Sequence, residues 1–170
     1  IVEAIRERHQ GGIVIGGSSA GAAVMSDIMI AGDELPLDRG LALWPEAIVD
    51  QHFAARKRMQ RSLDTISHHP EKVGVGIDEN TAVLVHSNGN VEVIGERGVT
   101  VIDARLSRKV DKPLTLGNVR LHRYREGSAP FRITPQSATK GAHSPIAIVV
   151  HGGAGKVDRQ WLTKEREQQH

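Results

Sequence analysis

The chain contains no cysteine, so disulfides, thiolate nucleophiles and thiolate metal sites are all excluded. Aromatic residues are scarce, with 2 Phe, 2 Trp and 1 Tyr among 170 residues, which leaves aliphatic side chains to fill the core. An excess of charge of one sign is also lacking. Lys and Arg number 22 against 20 Asp and Glu, for a formal charge of +2, and without a long basic run nucleic acid is not the expected partner. No apolar run approaches the roughly 20 residues of a membrane-spanning helix, and no signal-peptide pattern opens the chain. The expectation is a cytoplasmic protein with no membrane partner. The hydrophobic fraction of 39% is enough for a real core in a single domain or part of a larger one. Because Ile1-Val2-Glu3 reads as the middle of a helix, an upstream portion is expected.

What is present is concentrated in Gly12 to Ala23, where a β-branched run enters a glycine turn and leaves as an alanine-rich helix. Residues 17 to 21 read Gly-Ser-Ser-Ala-Gly, the Gly-x-Ser-x-Gly pattern that lifts a nucleophilic hydroxyl off a strand end on a strained elbow. Ser19 is the candidate nucleophile. The helix beginning at Ala20 would aim its first N–H groups at the developing oxyanion. A small-residue packing turn or a phosphate-binding loop would use a similar pattern, so a partner base is required.

Taken in order, Ile1 to Gln10 predicts a half-buried helix stopped by Gly11-Gly12. Ile13 to Ile15 predicts a central parallel strand, and Ala20 to about Ile30 a buried helix. A loop follows, with a strand within Leu41 to Val49 and a basic helix from Ala54 to His69 closed by Pro70. Val73 to Ile77 reads as a buried strand, Thr81 to His86 and Val91 to Ile94 as a hairpin through Ser87-Asn88-Gly89, and Val99 to Ile102 as a further strand. Val119 to Tyr124 suits an edge strand. Residues 126–144 are rich in small and polar residues and read as a linker after a first domain over 1–125. An apolar strand at Pro145 to Val150 then opens either a further unit over 145–170 or an unstructured tail. An exposed sheet edge would favour a homodimer.

A serine hydroxyl needs a base, and the base needs an acid. His52, at an element terminus, and Glu79, just beyond a buried strand, are the best candidates, with Asp78 the rival acid because spacing does not separate neighbours. His68-His69 is accounted for by a helix carboxyl terminus. His86, His122 and His151 share no metal-ligand spacing, so no metal site and no cofactor is expected. On a regular helix Arg58 and Arg61 share a face while Arg56 falls nearly opposite Arg58. Only an irregular start to that helix would let all three clamp carboxylates.

Together, Gly17-Ser18-Ser19-Ala20-Gly21-Ala22-Ala23, Asp50-Gln51-His52-Phe53 with Arg56, Arg58 and Arg61, and Gly76-Ile77-Asp78-Glu79-Asn80-Thr81-Ala82 resemble the cyanophycinase family, over about Gly11 to Asp103. The resemblance implies an α/β, flavodoxin-like (class I glutamine amidotransferase-like), mostly parallel sheet with flanking helices and an amino-terminal part lying upstream. It further implies a serine peptidase, related to aspartyl dipeptidases, that hydrolyses cyanophycin, a polyaspartate backbone carrying arginine, to β-aspartyl-arginine dipeptides. On that reading Ser19 is the nucleophile, His52 the base, Glu79 the orienting acid and the Ala20 N–H the oxyanion donor. Asp50, Gln51, Arg56, Arg58 and Arg61 line the substrate pocket. Residues 146 to 155, Ile-Ala-Ile-Val-Val-His-Gly-Gly-Ala-Gly, resemble the opening strand and loop of the plant-type asparaginase and isoaspartyl peptidase family. The rival readings are an aspartyl dipeptidase and a noncatalytic α/β module whose elbow holds an anion.

Overall fold

A computed structural model describes residues 1–32, 37–107, 109–110, 115–133 and 147–151. In chain order the elements are α1 (Val2–Gln10), β1 (Ile15–Gly17), α2 (Ala20–Ala23), β2 (Ile28–Ile30), β3 (Leu37–Arg39), β4 (Ala47–Gln51) and α3 (Met59–His68). They continue with β5 (Val73–Ile77), β6 (Thr81–Val85), β7 (Asn90–Gly95), β8 (Val99–Asp103), β9 (Lys109–Val110), β10 (Thr115–Leu116), β11 (Arg120–Tyr124), β12 (Phe131–Arg132) and β13 (Ala147–His151).

Two larger sheets carry the fold. One has the order β1-β13-β6-β7-β12 and the other β11-β8-β5-β4, with β2-β3 and β10-β9 as separate pairs. Strand periodicity decides how they pack, since successive side chains leave opposite faces. Val73, Val75 and Ile77 of β5 join Val49 and Val101 in a buried cluster with Val83, Val91 and Val93 of the other sheet. Ile48, Phe53, Ile66 and Ile102 form a second cluster that packs α3 on the opposite face of the four-stranded sheet. Each fully buried aliphatic side chain contributes about 1.5–3 kcal/mol, and the few aromatics need to add little.

The fold is mixed α/β, but the expected majority of parallel strands is corrected. Among the described residues only β1 with β13 and β4 with β5 pair in parallel, and the other pairings are antiparallel. The parallel pair β4 and β5 is joined through α3, which makes a βαβ unit. The strand expected at Ile13 to Ile15 is shifted to Ile15–Gly17 and lies at the end of its sheet order, with Ile13 and Val14 about half exposed.

The long helix expected after Ala20 is also corrected, because α2 ends at Ala23. The chain is needed elsewhere. The Met25 carbonyl accepts N–H bonds from Leu43 and Trp44, each at 2.9 Å, and the buried Ser26 Oγ accepts one from Val49 at 2.9 Å. The β-branched run Ile28–Ile30 then pairs with Leu37–Arg39 as a strand. The basic helix starts at Met59 rather than Ala54, and Lys57, at φ 52°, sits in the irregular turn before it. Strand β5, the hairpin of β6 and β7, and the edge strand β11 lie where the sequence places them. Phe131–Arg132, within the stretch read as a linker, form β12 beside β7, and Ala147–His151 form β13 between β1 and β6. Residues 152–170, the rest of the unit expected from 145, lie outside the described residues.

Candidate active site

Ser19 stands between β1 and α2 with φ 50° and ψ −115°. A non-glycine residue in that region is strained and persists only where its surroundings force it. The constraint comes from Gly17. A Cβ there would lie 2.2 Å from the Gly21 carbonyl oxygen, so the elbow can close only on a glycine. At Gly21 an added Cβ would meet nothing within 4 Å. The Ser18 carbonyl accepts from the Gly21 N–H at 2.8 Å and the Ser19 carbonyl from the Ala22 N–H at 2.9 Å. Among the described residues, the Ala20 N–H next to Ser19 donates to no protein acceptor.

The candidate base arrives from β4. Residue 52 follows directly on that strand, also at positive φ, 51°, and its turn is fastened to β5. The Phe53 N–H donates to the Ile77 carbonyl at 3.1 Å, and the Phe53 ring lies against Gly76, where a Cβ would sit 2.4 Å from ring carbons. Ser19 Oγ is 3.0 Å from His52 Nε2, and His52 Nδ1 is 3.3 Å from Glu79 Oε1. Ser19 is partly exposed whereas His52 is buried. This is a hydroxyl, imidazole and carboxylate in series, with the hydroxyl end open to a reactant. His52 Nδ1–H donating to the carboxylate places the acceptor lone pair on Nε2, the nitrogen that faces Ser19 Oγ.

Of the two rival acids, Glu79 reaches the imidazole and Asp78 points elsewhere. Asp78 is 1% exposed, accepts from the Ala54 N–H at 3.2 Å and pairs with Arg123. The residues expected in a pocket split into two groups. Asp50, 2% exposed, accepts from Arg61 Nε at 2.8 Å, from Ser62 Oγ at 2.8 Å and from Arg58 Nη1 at 3.4 Å. Arg61 holds it through two nitrogens, and Arg58 also donates to the carbonyl of Gln51 and, at 2.9 Å, to its Oε1. Arg56 is exposed, and with Lys57, Arg58, Gln60, Arg61 and Asp64 it lines an open depression of about 590 Å³. The irregular turn before α3 is what lets Arg56, Arg58 and Arg61 border one depression, which a regular helix would not allow.

Sequence reasoning missed Phe53, Ser62 and Arg123 as supports. Alternating glycines in Val73-Gly74-Val75-Gly76-Ile77 are the readable signal that something large lies on one face of β5. For Arg123, 45 positions from Asp78, no local signal exists.

The chain is similar to known proteins over most of its length. The model of peptidase family S51 matches residues 1–94. A cyanophycinase of Geminocystis herdmanii is 38% identical over 167 residues, covering 88% of this chain and 58% of that protein. Cyanophycinases of Thermosynechococcus vestitus and of a Nostoc species are 40% and 41% identical over 139 residues, covering 71% and 72% of this chain and 43% and 47% of theirs. The chain thus spans about half the length of the curated relatives it matches. With the family match extending across the elbow, the His52 turn and the Glu79 turn, the chain belongs to peptidase family S51.

Proposed function

We propose that this chain carries the reacting centre of a serine-type exopeptidase that hydrolyses cyanophycin to β-aspartyl-arginine dipeptides. The observation that carries the reading is the series Ser19, His52 and Glu79, at 3.0 and 3.3 Å, on an elbow that holds the serine at φ 50°. Ser19 Oγ attacks the aspartyl carbonyl as His52 Nε2 takes its proton, and the Ala20 N–H donates to the oxyanion. His52 returns the proton to the leaving amine, and water then releases the acyl group by the same relay. Glu79 holds the imidazole orientation and offsets its positive charge. Arg56, Arg58 and Arg61 receive substrate carboxylates at the depression, while Asp50 and Gln51 serve that pocket by fixing Arg58 and Arg61. We place the domain in the flavodoxin-like class on the β4-α3-β5 unit and on the elbow at the carboxyl end of β1.

The test is release of β-aspartyl-arginine from purified cyanophycin by the full native protein and by Ser19→Ala. Release by the native protein that is lost in the variant supports the reading. A folded native protein that leaves cyanophycin intact overturns the substrate assignment, in favour of a dipeptidase or a binding module.

A further inference from the structure

Residue 78 is the junction between the two turns that carry the base and its acid. Its side chain is 1% exposed, it is the covalent neighbour of Glu79, and its Oδ1 accepts the N–H of Ala54, two residues beyond His52. One carboxylate therefore fixes the spacing of both members of the His52–Glu79 pair. Both turns are strained, with His52 at φ 51° and Asn80 at φ 51°, and such conformations last only where side chains over-determine them. A buried carboxylate does this only if its charge is matched. The match comes from the edge strand β11: Arg123 Nη2 donates to Asp78 Oδ2, and Arg123 Nη1 donates to Thr100 Oγ1 at 2.7 Å. Space for the guanidinium is left by Gly98, where a Cβ would lie 3.0 Å from Arg123 Nε. Arg123 falls outside the stretch matched to the family, which ends at residue 94.

We infer that Asp78 and Arg123 are positioning residues that set the His52–Glu79 alignment, so that an arginine on a partly exposed edge strand governs the reactivity of Ser19. The inference rests on the serine-peptidase reading above. Removing Arg123 leaves Asp78 buried with an unmatched charge, and the carboxylate then gains by turning away from Ala54 toward water. That releases the His52 turn. A displacement of about 1 Å in a reacting group can cost roughly a hundredfold in rate.

The measurement is the rate at which a fluorophosphonate modifies Ser19 in the full native protein, Arg123→Ala, Arg123→Lys and Asp78→Asn, each with its thermal unfolding midpoint. This readout is independent of the identity of the natural substrate. The expected result is a roughly ten- to hundredfold slower reaction in Arg123→Ala and Asp78→Asn, with most of the rate recovered in Arg123→Lys, whose ammonium still reaches the carboxylate. A folded Arg123→Ala reacting at the native rate overturns the inference and leaves the serine mechanism standing. Equal slowing in Arg123→Ala and Arg123→Lys, in step with lowered midpoints, also overturns it by reducing Arg123 to a structural role. A native protein that does not react at Ser19 overturns both readings. If Arg123→Ala does not fold, Arg123→Gln is compared with the native protein in its place, with the same outcomes.

Discussion

The turn that carries Ser19 and the turn that carries His52 both bend a non-glycine residue to positive φ, 50° and 51°, yet different forces hold them. The serine elbow is made by the backbone: Gly17 passes against the Gly21 carbonyl, and the carbonyls of Ser18 and Ser19 are taken by the helix that follows. The histidine turn has backbone bonds of its own, from the Phe53 N–H to Ile77 and from the Arg56 N–H to His52, but leans on side chains besides. Phe53 lies on Gly76, Asp78 takes the Ala54 N–H, and Arg58 reaches back to the Gln51 carbonyl. A site needs a nucleophile whose position is invariant and a base that can move slightly as a proton passes. An elbow closed by backbone alone suits the first requirement and a turn braced also by side chains the second.

Substitutions can break that contrast. Gly17→Ala drives a methyl group into a carbonyl oxygen at 2.2 Å, and a loss above about 4 kcal/mol in chemical denaturation is expected, together with loss of Ser19 reactivity. Gly21→Ala, whose added carbon meets nothing within 4 Å, should stay within about 1 kcal/mol of the parent, or gain from better helix propensity. Equal damage from both would show that the elbow does not depend on the close approach. At the histidine turn, Asp50→Ala leaves Arg58 and Arg61 without their shared carboxylate in a largely buried place. A loss of about 3–5 kcal/mol is expected.

Gly76→Ala is smaller and repairable. Its Cβ meets the Phe53 ring at 2.4 Å, overpacking of this kind costs about 1–3 kcal/mol, and Phe53→Leu in the same chain should restore part of the loss. An undiminished penalty in the double variant would place the strain elsewhere.

The smallest effect is a control outside both turns. The Arg105 guanidinium, bonded to Asp103, holds the Asp103 carboxyl below the ordinary carboxylate range against the opposing pull of burial. A depressed folded value stabilises the protein above the unfolded value of about 3.9, and the gain disappears as pH falls through the lower folded value. Asp103→Asn should therefore cost no more than about 1 kcal/mol near neutrality. The difference between the chains should vanish at strongly acid pH in denaturation curves.

The same contrast explains what the sequence shows directly. The serine elbow is legible because glycine spacing and a short apolar run are local, and the hairpin and β5 are legible for the same reason. Glu79 and Asp78 could not be separated by position; only the rotation of the turn, set by Arg123 and by the Ala54 N–H, decides which acid meets His52. The helix expected past Ala23 fails because the Met25 carbonyl and the Ser26 hydroxyl are used by distant segments. Antiparallel pairing of β8 with β5 and of β11 with β8 is likewise a tertiary choice, since an apolar strand reads the same in either direction.

The most direct measurement of the central claim is where, and how fast, a fluorophosphonate attaches to the full native protein and to His52→Ala, with the modified peptide identified by mass spectrometry. A triad acting through His52 predicts attachment at Ser19 in the native protein and a loss of roughly a thousandfold or more in His52→Ala. Attachment that ignores the loss of His52, or none at Ser19 in a folded native protein, would contradict it.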